Sequence, residues 1–244
     1  MSVEGYDAYD LTAKLYEGIA KNNQWRQYDK WHASAIAQCP RAQFLNRKGV
    51  KPLQTPGAGK ILRWGIGHIV ETAIRPYLQD LYPNLQSNQR LEHAGLNLTG
   101  EYDNYDPDSK TIIEIKSVHP NAVRYKRLGE DRHHVKGDQP YLSHEWQEHA
   151  YVLLMDRHNI PVENITYVYV SLSGLLVIYN TPVDNKLVSR VAKKVDYMNK
   201  CWEENKLPIC TCSETDELWG SCLQYCDYRT EDGCCDEKLI KEVK

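Results

Sequence analysis

The sequence is short of phenylalanine and methionine and contains no long apolar run. Its 244 residues include 1 Phe and 3 Met, whereas Tyr occurs 17 times and Trp 6 times. No apolar stretch is long enough to cross a bilayer, so we expect no membrane association. The first ten residues carry no basic segment followed by an apolar one, so we expect no secretory signal and a cytoplasmic protein.

An excess of basic residues is also lacking, because 33 acidic residues outnumber 30 basic ones and give a formal net charge of −3. The molecule as a whole therefore does not resemble a binder of polyanions. This balance does not exclude DNA as a partner, since the negative charge of an acidic metal site would cancel that of basic patches elsewhere in the net charge. The length allows one sizeable core.

Cysteine, in contrast, is abundant and unevenly placed. Six of the 8 cysteines lie between Cys210 and Cys235, and Cys39 is far away near the start. Cytoplasmic thiols stay reduced, so a disulfide framework is a poor explanation. A clustered set with one remote member instead indicates ligation of a metal ion or cluster. Cys201 falls close to the apolar stripe of a predicted helix and is expected to be a core residue.

Apolar periodicity predicts a mixed α/β organisation. The predicted elements are, in order, helix 62–81, strands 96–105 and 111–118, helix 143–157, strands 165–172 and 175–180, and a helix that starts after Asp184. The turn sequence DPDSK separates the first two strands and predicts a β-hairpin. Segment 49–60 is rich in Gly and Pro and is expected to be a loop.

Three charged residues of this first hairpin carry the strongest chemical signal. Glu114 and Lys116 are two residues apart on a strand and share a face, and Asp103 lies on the preceding strand. Two carboxylates form a hard oxygen site suited to Mg²⁺ or Mn²⁺. A cation there would polarise a phosphoryl oxygen and activate a water molecule, while the lysine would offset the developing charge. These are the functions that phosphodiester hydrolysis needs.

An E-x-K pair alone is more often a surface ion pair than a catalytic one. Two features favour the catalytic interpretation here. The pair sits within the apolar run IIEIKSV, where a charge must find a partner, and the segment GEYD places Asp103 one hairpin strand earlier.

Five segments of the chain carry a resemblance to a known family: CPRAQF with Cys39, WGIGHIVE with His68, GEYD with Asp103, IIEIKS with Glu114 and Lys116, and QEHAY with Gln147 and Tyr151. Together they span most of the chain. In these segments and in their order, the sequence resembles the RecB-like branch of the PD-(D/E)xK nucleases, and in particular its iron–sulfur members, which include the CRISPR-associated exonucleases and the AddB-type nuclease domains.

The resemblance implies a restriction-endonuclease-like α/β fold, in which a mixed central sheet is flanked by helices and a cysteine-rich lobe follows at the C-terminus. It makes His68, Asp103 and Glu114 metal ligands, and it places Gln147 and Tyr151 against substrate or metal-bound water. We expect one nuclease domain over 1–244, made of an N-terminal segment 1–60, a catalytic core 61–206 and a cysteine-rich tail 207–244.

The implied activity is cleavage of DNA, as an exonuclease acting on single strands or duplex ends in replication, recombination or repair. A structure-specific or restriction-like endonuclease of the same core is the alternative within the enzymes. A non-catalytic, cluster-bearing DNA-binding module is the alternative outside them. A helicase or recombinase partner and a phage origin are further expectations from family analogy.

For the cysteines, the resemblance implies a [4Fe–4S] cluster, with zinc as the alternative. Four thiolates can hold either, and spacing alone does not choose between them. Cys39 is the early ligand, and the late candidates are Cys222, Cys226, Cys234 and Cys235. The spacing around Cys226 is longer than usual in the family, and the sequence leaves the role of Cys210 and Cys212 open.

A polar and basic segment at 121–139 separates the catalytic strand from the QEHAY helix. We expect it to grip the DNA backbone, because its cations lie next to the catalytic residues along the chain. The candidate phosphate contacts are Arg124, Lys126, Arg127, Arg132 and Lys136.

Overall fold

The computed structural model describes residues 14–15, 17–19, 26–52, 58–125, 128, 139–210 and 228 of the chain. Most of the predicted cysteine-rich lobe, 207–244, therefore lies outside the described residues. None of the helices in the described ranges is both long and apolar enough to cross a membrane.

The chain alternates between strands and helices. The strands are β1 (Trp31–His32), β2 (Gln86–His93), β3 (Leu98–Asp106), β4 (Thr111–Val118), β5 (Asn164–Ser171) and β6 (Leu176–Pro182). The helices are α1 (Pro40–Arg47), α2 (Ala58–Leu81), α3 (Pro120–Arg124), α4 (Leu142–Arg157) and α5 (Asn185–Glu203). Short 3₁₀ turns at Ala33–Ala35 and Ala94–Leu96 precede α1 and β3.

The six strands form one mixed sheet. β4 pairs with β5 in parallel, and the pairs β2–β3, β3–β4 and β5–β6 are antiparallel. Helix α4 lies in the crossover between β4 and β5, as parallel neighbours require. This confirms the predicted α/β class with a mixed central sheet.

Helices cover both faces of the sheet, and the alternation of β4 decides which residues each face receives. Ile112 packs into the larger core together with α4 and α5. Ile113 and Ile115 pack on the other face, against Val70 and Leu78 of α2. Glu114 lies on the α4 side with Ile112, as the period of two predicts.

Strand β3 has a gap along one edge. β2 pairs with it along its length, from Leu98 to Tyr105. On the opposite edge, β1 pairs only at Leu98 and Thr99, and β4 pairs only from Asn104 to Asp106. Residues 100–103 therefore have no strand beside them on this edge, because β3 and β4 separate before Asn104. We call the opening between residues 100–103 of β3 and the second half of β4 the fork.

Most of the predicted elements are confirmed, with bounds shifted by a few residues. Helix α2 continues through Pro76 and starts at Ala58, within the segment predicted to be a loop. Asp184 caps α5 as predicted, since its carboxylate accepts a hydrogen bond from Lys186 N. The sequence analysis missed β2, because QSNQRLEH has no apolar alternation and five of its eight residues are exposed.

Candidate active site

An open pocket of about 590 Å³ lies at the fork between β3 and β4. Its walls come from the fork itself, from α2 on one face of the sheet and from α4 on the other. Five of the residues predicted to act in catalysis or metal binding line it: His68, Asp103, Lys116, Gln147 and Tyr151. Glu114 lies directly beneath, in contact with Lys116 and Gln147.

Asp103 is held at the point where the two strands separate. Its Oδ2 accepts a hydrogen bond from the backbone N–H of Ile115 at 3.1 Å, which satisfies a donor that the ladder has left free. The neighbouring pair with Asn88 is missing from the β2–β3 ladder, and Asn88 has a left-handed φ of 52°. The β2–β3 ladder is therefore interrupted at Asp103, which lines the pocket.

Glu114 is fully buried, with an exposed fraction of 0%. Its Oε1 accepts a hydrogen bond from Gln147 Nε2 at 2.8 Å and forms an ion pair with Lys116, whereas Oε2 has no hydrogen-bond partner. Burial, together with the nearby charge of Asp103, raises the pKa of Glu114 to about 7. A buried carboxylate oxygen without a donor is costly unless a cation or proton reaches it.

Lys116 connects this buried carboxylate to the pocket. Its side chain is 24% exposed and its ammonium contacts Glu114. Burial lowers the pKa of Lys116, but the carboxylates of Glu114 and Asp103 outweigh burial and raise it above the ordinary lysine value. The lysine is therefore charged at every pH of interest, and its side chain lines the pocket.

Gln147 and Tyr151 are one turn apart on α4 and both line the pocket, as their spacing of four predicts. Gln147 Nε2 bridges Glu114 Oε1 and the Tyr151 hydroxyl, at 2.8 and 3.5 Å. Tyr151 is buried, and burial with the negative charge of Glu114 raises its pKa well above the usual value. The tyrosine is therefore a neutral hydrogen-bonding group rather than a base.

Gly100, the first residue of the GEYD segment, lets α4 approach the fork. A Cβ at this position would lie 2.6 Å from Tyr151 Cε1 and 2.7 Å from Ala33 Cβ, which is closer than real contacts allow. Glycine is thus required for space and not for an unusual backbone angle.

Replacing Gly100 with alanine should push the Tyr151 ring, and with it Gln147, away from Glu114. We expect a loss of about 1–3 kcal/mol in the free energy of unfolding, which is typical of overpacking, together with lower nuclease activity. Gly59→Ala is the matched control and should not lower stability, because Gly59 lies in helix α2 and no atom lies within 4 Å of its missing Cβ. Unchanged stability and activity in Gly100→Ala would contradict the packing argument.

His68 lies on α2 at the pocket mouth, with its side chain 87% exposed and Nδ1 3.6 Å from Glu71 Oε2. Glu71 also contacts Arg75. Burial and the charge of Asp103 raise the pKa of Glu71. The structure therefore places His68 in the same pocket as Asp103, but turned towards a carboxylate of its own helix.

The fork contains the type of ligand that a hard divalent cation prefers, but its side chains do not form a complete coordination site. Carboxylate oxygens are the ligands that Mg²⁺ and Mn²⁺ prefer, and Glu114 Oε2 is buried without a partner. Within the described ranges, however, no three His, Cys, Asp or Glu residues converge as a metal-binding group. Lys116 holds the other Glu114 oxygen, so its ammonium would have to share that oxygen with a cation.

Two residues of α4 that the sequence analysis did not single out approach this site. Glu148 is fully buried and lies within hydrogen-bonding reach of Glu114, while neither of its oxygens meets a donor in the described structure. Burial, followed by the charge of Glu114, raises the pKa of Glu148 well above the usual value for a glutamate. His144 bonds the Tyr169 hydroxyl at 2.9 Å, and burial near Lys116 lowers its pKa to about 3.

A cationic wall of the pocket was also missed. Arg26, Arg63 and Arg90 line it, and none of them pairs with a carboxylate among the described residues. Arg26 and Arg90 are close enough to His32 to lower its pKa, together with the larger effect of burial. No sequence signal could have found this wall, because its three arginines come from three distant segments.

The basic segment and the late cysteines fall mostly outside the described residues. Arg124 is described and is the exposed last residue of α3, whereas Lys126, Arg127, Arg132 and Lys136 are not described. Cys222, Cys226, Cys234 and Cys235 likewise lie outside the described ranges. The buried Cys39 is described, and Cys201 packs in the main core as predicted.

Comparison with known proteins finds a similarity of fold only. No model of a known protein family matches the sequence, and no curated protein matches it. The chain is similar in structure to an alkaline exonuclease (LHK-Exo) from Laribacter hongkongensis, with a TM-score of 0.52 and 11% identity over 79% of this chain and 93% of that one. The same exonuclease in complex with dAMP gives a TM-score of 0.50 at 11% identity, with the same coverage. This chain therefore shares the fold of that exonuclease.

Proposed function

We propose that this chain is a divalent-metal-dependent deoxyribonuclease, and that it acts as an exonuclease on single-stranded DNA or DNA ends. The observation that carries the proposal is the meeting of Asp103, Glu114 and Lys116 in one fork that opens into a pocket. The shared fold with an alkaline exonuclease supports a nuclease, and the complex of that enzyme with dAMP favours DNA.

The chemistry follows from the positions of the side chains. Asp103 and Glu114 would hold Mg²⁺ or Mn²⁺, which supplies a polarised phosphoryl oxygen and a more acidic water when bound. Lys116 places a permanent charge where negative charge develops on the phosphate. Gln147 fixes Glu114 and Tyr151 through its amide, so these groups are preorganised before DNA arrives.

The pocket walls suit a nucleic acid strand. Arg26, Arg63 and Arg90 offer cations for the phosphates. Trp64 also lines the pocket with 52% of its surface exposed, so it is available for stacking on a base. His68 stands at the same mouth and remains the proposed third metal ligand, provided that its ring turns from Glu71 when the cation binds.

The deciding experiment is a nuclease assay on end-labelled linear DNA and on circular DNA, each as single and double strands, with Mg²⁺ or Mn²⁺ and with EDTA as the control. Release of mononucleotides from linear DNA while circles stay intact would support an exonuclease. Cutting of circles would identify the endonuclease alternative. DNA binding without cleavage in the presence of either metal would support the non-catalytic DNA-binding module and refute the proposal.

Neutralising the basic segment should weaken DNA binding without changing its sequence preference. The variant replaces Arg124, Lys126, Arg127, Arg132 and Lys136 with glutamine. Each lost phosphate contact should reduce the slope of log affinity against log salt concentration by about 0.9 for duplex DNA.

The control for the basic segment is the double variant Lys186→Gln and Lys193→Gln, which removes two exposed lysines of α5. Affinity is measured by fluorescence anisotropy at several salt concentrations. An unchanged slope in the segment variant would mean that these cations are a solvated surface and do not contact DNA.

Two finer parts of the proposal rest on the family resemblance. The cysteine cofactor would be a [4Fe–4S] cluster or, alternatively, zinc, held by Cys39 and late cysteines among Cys222, Cys226, Cys234 and Cys235. By analogy with that family, a helicase or recombinase partner would supply any unwinding of duplex DNA. Metal analysis of the purified protein tests the first part, and co-purification with such a partner tests the second.

A further inference from the structure

Glu71 lines the pocket but has no role yet in the proposed metal site or in the proposed DNA contacts. Its side chain is only 15% exposed, whereas the side chain of His68, one helical turn earlier on α2, is 87% exposed. Oε2 of Glu71 lies 3.6 Å from Nδ1 of His68. A largely buried carboxylate is therefore placed to hold one nitrogen of an exposed imidazole.

Arg75 holds the other oxygen of this carboxylate. Its Nη2 contacts Oε1 of Glu71 and donates a hydrogen bond to Oδ1 of Asn88 at 2.9 Å. Asn88 is the residue of β2 at which the ladder is interrupted, and it stands opposite Asp103. A continuous set of contacts thus joins His68 to the interruption beside Asp103.

The two nitrogens of the His68 ring have linked roles. In a neutral imidazole one nitrogen carries the proton, and the other offers the lone pair that binds a metal. A carboxylate beside Nδ1 favours the proton on Nδ1 and leaves Nε2 as the ligand nitrogen, an arrangement found at most metal-binding histidines. Because the ring is so exposed, Nε2 stays accessible, and His68 can also bind a cation without turning from Glu71.

We propose that Glu71 is a positioning residue, which selects the Nδ1–H form of His68 and so presents Nε2 to the divalent cation. Arg75 keeps the carboxylate in place, and Glu71 itself does not touch the cation. This inference rests on the proposed function, in which His68 is the third metal ligand. It adds the reason why an exposed histidine can serve as one, since the protonation of the ring is set before the cation arrives.

Glu71→Gln is the informative variant, because it keeps the size of the side chain and changes the polarity of the contact. The amide oxygen would accept the hydrogen bond from Arg75, and the amide NH₂ would then face Nδ1 of His68. Nδ1 would have to accept that bond, so the proton would move to Nε2 and block the ligand nitrogen. We expect the affinity for Mn²⁺, measured by calorimetry, to fall about 10- to 100-fold.

Two further variants show whether Glu71 acts through the histidine. Asp80→Asn removes the same charge from an exposed position of α2 and should leave the affinity within about twofold of the wild type. His68→Gln should lower the affinity, and adding Glu71→Gln to it should cost little more. Full affinity in His68→Gln, or an equal loss from Glu71→Gln with and without His68, would overturn the proposal.

The tautomer of His68 is read directly by nitrogen-15 NMR of the imidazole in the metal-free protein, at a pH at which the ring is neutral. We expect Nδ1–H in the wild type and Nε2–H in Glu71→Gln. A ring with Nε2–H in the wild type, or the same tautomer in both proteins, would refute the proposal. This readout needs neither metal nor DNA, so it is separate from the nuclease assay. A protein that cleaves no DNA would refute the proposed function and leave the tautomer unchanged.

Discussion

Lys116→Ala should reduce the turnover number for DNA hydrolysis by at least about 100-fold, as removal of one preorganised electrostatic stabiliser does. The ammonium of Lys116 contacts Glu114, and the side chain, which is 24% exposed, lines the pocket. The side chain also competes with a cation for Glu114. We therefore expect the affinity for Mg²⁺ or Mn²⁺, measured by calorimetry, to stay the same or to increase.

Lys110→Ala is the control for this variant. Lys110 lies at the other end of β4, in the hairpin turn, where it pairs with the exposed Glu163. Turnover in Lys110→Ala should remain within about twofold of the wild type, since exposed ion pairs contribute little. Near-normal turnover in a folded Lys116→Ala protein would contradict the assignment of the lysine.

Asp103→Asn should lower both metal affinity and turnover, the latter by at least about 100-fold. Asparagine keeps an oxygen that can accept the hydrogen bond from Ile115 N, so the fork should keep its shape. What the substitution removes is the charge that a cation needs. The two variants thus separate two roles, because Lys116→Ala should spare metal binding and Asp103→Asn should not.

The control for Asp103→Asn is Asp108→Asn in the exposed turn of the same hairpin. Asp108 Oδ2 accepts a hydrogen bond from Asn84 Nδ2 at 2.9 Å, and an asparagine oxygen can accept it equally. Circular dichroism and thermal melting establish that both variants are folded. If Asp103→Asn binds Mg²⁺ as tightly as Asp108→Asn does, Asp103 is not a metal ligand.

The sequence predicted those elements in which the spacing of residue types along a single strand or helix indicates the structure. The period of two in β4 places Glu114 with Ile112 on the side of α4, and the structure confirms this. The spacing of four predicts that Gln147 and Tyr151 share a face, and both line the pocket. A strand or helix repeats its geometry along the chain, so the residue type at each step already indicates which side is buried.

Elements without such a period could not be found in this way. β2 is polar and is held by backbone pairing to β3, which no side-chain pattern records. The Gly-Pro-rich segment before α2 predicted a loop up to residue 60, but the structure starts the helix at Ala58. At β2, pairing with another strand outweighs local preference, whereas the start of α2 is a shift of a few residues in a helix boundary.

The sequence by itself determined the α/β class of fold and the hairpin that carries Asp103, Glu114 and Lys116, and it suggested the chemistry proposed for these groups. Only the tertiary structure decided that β3 and β4 part at Asp103, that Glu148 faces Glu114, and that Arg26, Arg63 and Arg90 form one wall. It also decided that Cys210 meets Cys39 across 171 residues. The physical reason is that a repeating pattern reports the environment of a residue, whereas the proximity of distant segments depends on how whole elements pack.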